Sequence, residues 1–185
     1  MIDFESLQNG NRLIGTSPLL YNTTIRFVGC NNIIFCEEDV VIENSSITFD
    51  GNNALVYLGR SIHKYHLSLS LNHNSVFHIG KNNYINGNMH VILSERKHIF
   101  IGNQCLFSLG IWMRNADPHL IYSCDSGQRL NSTRSIYIGD HVWIGQSVFI
   151  LKGTEIDSGS IIGAMSVIAG KKSIIIHLGQ GIRQR

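Results

Sequence analysis

The chain has 185 residues and a formal net charge of +2, with 15 Lys and Arg against 13 Asp and Glu; 15% of its residues are charged and 43% are apolar. That length supports one domain, and the mixture describes a folded chain rather than a disordered one. The near-neutral balance gives no strong pull toward nucleic acid or an anionic membrane surface, and no unbroken apolar run approaches the roughly 20 residues of a membrane-spanning helix.

The chain opens "MIDFESLQNGNRL", with Asp3 and Glu5 early and no apolar core, which is unlike a secretory signal. The four cysteines, Cys30, Cys36, Cys105 and Cys124, show no paired close spacing. Both features point to a reduced, cytoplasmic protein. Residues 1–21 carry no repeat and are expected to cap the open end of the repeating region beyond them, because an uncovered first coil invites pairing with other chains.

A six-residue step begins at Val28, Ile34 and Val40. Aliphatic–Gly pairs then stand at Leu58-Gly59, Ile79-Gly80 and Ile101-Gly102. Three six-residue units fall slightly short of the distance between one pair and the next, so each interval reads as one full coil with a few residues inserted at a corner. The short runs "GCNN" (29–32), "GNN" (51–53) and "GKNN" (80–83) recur at the expected turns. Asn there suits a turn because it tolerates left-handed backbone angles. The histidines of "HKYH" and "HNSVFH" have no Cys or acidic cluster beside them, so no metal site is expected.

Ile101, Phe107 and Met113 keep step, and then "RNADPHLIYSCDSGQRLNSTR" (114–134) has no period at all. An aperiodic stretch inside a regular solenoid is a loop pushed out from a corner, and ordered loops of this length are usually functional. It carries Arg114, Asp117, His119, Tyr122 and Arg129, the densest set of reactive side chains in the chain.

The step then becomes strict. Isoleucine stands at 138, 144, 150, 156, 162 and 168, and the position four after each of the first five is Val142, Val148, Thr154, Ser160 or Ser166. Helices bury a face every 3.6 residues and simple strands every second residue, so a period of six fits neither. A short strand and a turn, repeated with one large aliphatic and one smaller residue sent inward, describes a hexapeptide β-helix. The expected architecture is all-β, with one solenoid from about 22 to 170 and one protruding loop near 114–135.

The segment "ADPHLIYSCDSGQRLNSTRSIYIGDHVWIGQSVFILKGTEIDSGSIIGAMSVIAG" resembles the hexapeptide-repeat O-acetyltransferases, above all those of bacterial polysialic acid and capsule. The likeness rests on the elements "RN-D-H-IYS---G-R-N" at 114–131 and "IG-HVW-G---ILKG" at 138–153. It implies a left-handed parallel β-helix, a homotrimer, and a single acyltransferase domain over 1–185. It implies transfer of an acetyl group from acetyl-CoA to a hydroxyl of a surface glycan, such as a sialic-acid-containing capsule. A small-sugar or antibiotic acetyltransferase, and a β-helix scaffold without catalysis, are the alternatives. The family's closing "G-PAK" segment is replaced here by "GKKSIIIHLGQGIRQR", so residues 171–185 form an atypical tail.

Residue by residue, the resemblance puts His119 in the place of the loop general base. It puts Trp143 against the thioester end of acetyl-CoA, or at a trimer interface. Gly145 and Ala164 would line the pantetheine path, with Lys171 or Lys172 near a phosphate. Arg114, Asp117, Tyr122 and Arg129 would face the acceptor, or the arginines would pair with acids across subunits. The chemistry suits such groups. A sugar hydroxyl is a weak nucleophile, and an imidazole with an ordinary pKa of about 6.5 can take its proton as it attacks. The oxyanion then needs N–H donors. Either Asp117 or a backbone carbonyl would orient the imidazole. Cys124 has no flanking base, so an acyl-enzyme is not expected. His141 reads as structural.

Overall fold

The computed structural model describes residues 9–170. Among these the chain contains 18 short strands and no α-helix. All strand pairing within the sheets is parallel, and the chain winds as a left-handed β-helix. Each coil visits three faces. The leading sheet holds Arg12–Gly15, Ile33–Cys36, Leu55–Leu58, Val76–Ile79, His98–Ile101, Ile136–Ile138 and Glu155–Ile156. The narrow sheet holds Tyr84–Ile85, Leu106–Phe107, Trp143–Ile144 and Ile161–Ile162. The trailing sheet holds Leu19–Phe27, Val41–Phe49, Leu67–Leu71, Met89–Leu93, Trp112–Arg114, Phe149–Leu151 and Val167–Ile168.

The six isoleucines from 138 to 168 all face inward and are buried. Each such burial contributes about 1.5–3 kcal/mol relative to exposure. Val142, Val148, Thr154 and Ser160 are buried too, while Ser166, in the last described coil, is half-buried. Small polar residues are tolerated inside because their hydroxyls find carbonyls at the same corner. Thr154 Oγ1 donates to Leu151 O at 2.7 Å and Ser160 Oγ to Asp157 O at 2.6 Å.

The turns explain the other recurring letters. Asn31, Asn53 and Asn82 have φ of 57°, 57° and 51°. Their N–H groups donate to carbonyls of the preceding coil: Asn9, Cys30 and Arg60. Gln104, His141, Ser147 and Met165 take the same backbone position later in the chain. His141 is therefore a turn residue, its N–H bonded to Asn103 O at 2.8 Å. The glycine of each aliphatic–Gly pair is needed for close stacking. A Cβ on Gly102 would come 2.7 Å from the backbone of Gly139, one coil on.

Two details differ from the sequence expectation. Winding starts earlier, because Arg12–Gly15 pairs with Ile33–Cys36 and Leu19 already pairs with Val41; residues 12–21 are coil, not a separate cap. Their strand bends at Asn22, φ 42°, which hides the six-residue step. Val28 is exposed, and Phe27 takes the inward place instead, stacked on Phe49 at 4.7 Å.

Coil length changes at the loop. Before it, Ser68, His90 and Trp112 stand side by side in the trailing sheet, so each coil is longer than three six-residue units. After it, Phe149 and Val167 stand side by side, and the coil between them is three such units with nothing added. The excess lies at the corner between the trailing and leading sheets. His90 and Phe149 both flank Trp112, and Phe100 and Glu155 both flank Tyr137. The path from His90 to Phe100 is visibly longer in sequence than the matching path from Phe149 to Glu155. The long loop, 115–135, leaves from that same corner.

Candidate active site

The loop is tied down at its start. The Asn115 carboxamide is buried and bonds the Ser94 backbone on both sides, accepting from Ser94 N at 2.8 Å and donating to Ser94 O at 3.0 Å. Further on, the loop doubles back. Tyr122 and Arg129 form an antiparallel bridge, and Leu130 N donates to Ile121 O at 2.8 Å.

Asn131 holds the middle of the loop together and is buried. Its Oδ1 accepts from Ile121 N at 2.9 Å. Its Nδ2 donates to Asp117 Oδ2 at 3.0 Å and to the His119 carbonyl at 2.6 Å. Two ion pairs brace this arrangement against the coil. Arg129 forks onto Glu95 at 2.7 and 2.8 Å, and the Thr133 hydroxyl donates to the same carboxylate. Lys152 pairs with Asp117 and also donates to Asn131 O at 3.2 Å. The Arg129 and Thr133 hydrogen bonds pull the Glu95 carboxyl below its ordinary range, and the Lys152 bond does the same for Asp117.

His119 is exposed, and its ring has no partner among the described residues. Asp117 does not orient the ring, because its carboxylate goes to Lys152 and Asn131. Arg129 is likewise engaged within the chain. Tyr122 is exposed near the loop's outer end, and Arg114 is half-buried where the loop begins. Cys124 is a free, exposed thiol.

Trp143, Gly145 and Ala164 come together elsewhere. Trp143 projects from the narrow sheet between Leu106 and Ile161 and is half exposed. A Cβ on Gly145 would lie 2.6 Å from Ala164 N, so these two residues touch from adjacent coils. They occupy the corner between the narrow and trailing sheets, whereas the loop leaves the next corner. The trailing sheet lies between, and its outer face was not foreseen as part of a site. There Trp112 stacks on His90 at 4.4 Å and on Phe149 at 6.2 Å. With Arg114 and Leu151, Trp112 and Phe149 wall a hollow of about 350 Å³. Register alone joins these side chains, since Trp112 and Phe149 are separated in sequence by the whole loop. Lys152 and the hub role of Asn131 were also not foreseen, because each looks like an ordinary surface polar residue in sequence. Lys171 and Lys172 lie outside the described residues. No helix among the described residues is long and apolar enough to cross a membrane.

Residues 135–170 match the family "Bacterial transferase hexapeptide (six repeats)". The chain is 33% identical over 140 residues to a polysialic acid O-acetyltransferase of Neisseria meningitidis, covering 76% of this chain and 65% of that one. It is 31% identical over 75 residues to a polysialic acid O-acetyltransferase of Escherichia coli O1:K1, covering 40% of this chain and 24% of that one. The chain thus spans less than two thirds of the length of these relatives. The crystal structure of the polysialic acid O-acetyltransferase OatWY superposes with a TM-score of 0.74 at 28% identity, covering 87% of this chain and 76% of that one. By its repeat, its coil and these likenesses, the chain is a left-handed β-helix whose residues 135–170 carry the bacterial transferase hexapeptide repeat, and it is similar to the O-acetyltransferases built on that repeat.

Proposed function

We propose that this chain is an acetyl-CoA-dependent O-acetyltransferase that modifies a hydroxyl of an acidic bacterial surface glycan. The observation that carries this reading is the loop: a stretch that breaks a regular coil is braced by two ion pairs and a buried Asn131, and presents a His119 whose ring has no partner among the described residues. Its likeness to polysialic acid O-acetyltransferases supplies the reaction and the acceptor class.

In this reading the acceptor oxygen attacks the thioester carbonyl while His119 takes the hydroxyl proton. N–H donors such as Trp143 Nε1 stabilise the tetrahedral oxyanion. Collapse breaks the carbon–sulfur bond, and the departing CoA thiolate recovers the proton from the imidazolium. The products are the acetylated sugar and free CoA. Arg114 and Tyr122 face the acceptor, and the tail lysines Lys171 and Lys172 meet a CoA phosphate. Asp117 and Arg129 act by bracing the loop.

The narrow sheet is the face that does not touch the corner from which the loop leaves. A site holding both His119 and Trp143 therefore takes the loop of one copy and the narrow sheet of another. Such a head-to-tail contact closes into a ring, and a homotrimer is the state proposed. The four free cysteines fit a reducing, cytoplasmic setting.

The test is acetyl-CoA consumption with no acceptor, with polysialic acid and with a small neutral sugar. Transfer to the polymer is expected, and His119→Ala should lower kcat by about 10²–10⁴, the usual scale for losing a general base, at unchanged melting temperature. Wild-type kcat in that variant would mean that the base lies elsewhere. Transfer to the neutral sugar alone supports a small-sugar enzyme, and no consumption supports a scaffold.

A further inference from the structure

The corner between the trailing and leading sheets is longer only in the coils before the loop, and its extra residues build a cleft. Asn53, Asn72, His73, Asn74, Glu95 and Arg96 line about 640 Å³ there. That is within the ordinary range for a ligand site. The shorter coil after the loop has a tight corner built from Lys152, Gly153 and Thr154.

The lining has a consistent chemistry. Carboxamides and an imidazole make up most of it. Its carboxylate, Glu95, is neutralised by the forked bond from Arg129. Arg96 is exposed and leaves the cleft with a positive charge. Several carboxamide bonds are long: Asn53 Nδ2 to Asn74 Oδ1 and Asn72 Nδ2 to Leu93 O are both 3.3 Å. Bonds of that length are readily exchanged for a ligand's hydroxyl or carboxylate. Glu95 and Arg96 also hold consecutive left-handed backbone angles, φ 56° and 57°. Neither residue type favours that conformation, and strain of this kind gathers at functional positions.

The cleft runs directly into the catalytic loop. Glu95 bonds Arg129, Arg129 Nε bonds Asn131 Oδ1 at 3.3 Å, and Asn131 bonds the His119 carbonyl. Successive corners stack about 4.8 Å apart, so the lining repeats along the coil axis rather than closing around one small molecule.

We infer that this corner cleft seats an acidic glycan chain, holding the units next to the one acetylated at the loop. Arg96 faces a sugar carboxylate, and the asparagine and His73 side chains meet hydroxyl and acetamido groups. The choice of ligand rests on the acetyl-transfer reading, but occupation of the cleft can be measured without it.

The probes are sialic acid as the monomer and as short and long oligomers, with a neutral glucan beside them. The variant is Arg96→Asn combined with Asn74→Gly. Both positions have left-handed φ, 57° and 55°, which Asn and Gly adopt without strain. Wild type should show a higher kcat/KM for long acceptors than for the monomer, and the variant should lose about tenfold of that preference, the scale of one charged hydrogen bond. An absent length preference in wild type, or one unchanged in the variant, overturns the inference. If wild type acetylates none of these sugars, the acetyl-transfer reading fails separately, and direct titration with polysialic acid decides the cleft. Saturable, salt-sensitive binding that weakens in the variant supports it. Absence of binding, or equal binding of the neutral glucan, refutes it.

Discussion

Removing the Asn131 side chain should disable the loop without unfolding the coil. In Asn131→Ala four bonds disappear: those from Ile121 N and Arg129 Nε to Oδ1, and those from Nδ2 to Asp117 and to the His119 carbonyl. The backbone carbonyl of Asn131 survives and still receives Lys152 at 3.2 Å. A net value of about 1 kcal/mol per neutral bond puts the local loss at roughly 2 kcal/mol, counting the Ile121 and His119 bonds fully and the others as replaced by water. That loss falls on a solvent-facing loop rather than on the core, so it opens a local unit and leaves global melting almost unchanged. The His119 backbone then shifts, and displacements of about 1 Å can cost on the order of 10²-fold in rate. The expected result is a fall of about 10–10² in kcat/KM, a melting temperature like that of wild type, and faster amide exchange at Ile121. Asn131→Asp should be no better, because it loses the Nδ2 donor and sets a second carboxylate against Asp117. Full activity in Asn131→Ala, or a large drop in melting temperature with normal exchange at Ile121, would refute this account of the hub.

Ile144→Ala deletes a fully buried side chain packed between the coils of Phe107 and Ile162; chemical denaturation should show a loss of about 2–5 kcal/mol. Glu95 and Asp117 both have carboxyl pKa values lowered by their ion-pair partners, from ordinary values of 4.5 and 3.8. A lowered folded-state pKa stabilises fully above the unfolded value and is lost as pH falls through the folded one. Loop protection should therefore hold at neutral pH and decline below those ordinary values. Glu95→Gln should flatten that decline, and an unchanged acid limb would remove Glu95 from the account. Both carboxylates are partly exposed, so solvent screens each pair and its contribution to loop stability is small. Trp143→Ala should raise the KM for acetyl-CoA or lower kcat, and light scattering should tell whether it also disperses the oligomer; parameters within twofold of wild type would leave Trp143 without a part in the site.

The isoleucines at 138 to 168, the asparagine turns and the break at 114 are local signals, and the sequence alone determined from them an all-β coil with one loop. A hexapeptide coil repeats the same short-range geometry, so each residue's inward or outward place follows from its position in the count. The first coil escaped that count because Asn22 bends a long strand and Phe27, not Val28, faces in. The site was legible only as a set of names. His119 stood out because it sits where periodicity stops, yet its support could not be read, since Asn131 meets it from the far side of the loop and Glu95 meets Arg129 from an earlier coil. Tertiary structure alone decided that Asp117 and Arg129 brace the loop, that Trp112 and Phe149 share a hollow across the loop's full length, and that Trp143 lies on the face turned away from His119's corner. Those relations depend on the number of residues per coil. Longer coils before the loop and shorter ones after it bring distant residues into register, and no local pattern encodes which ones meet.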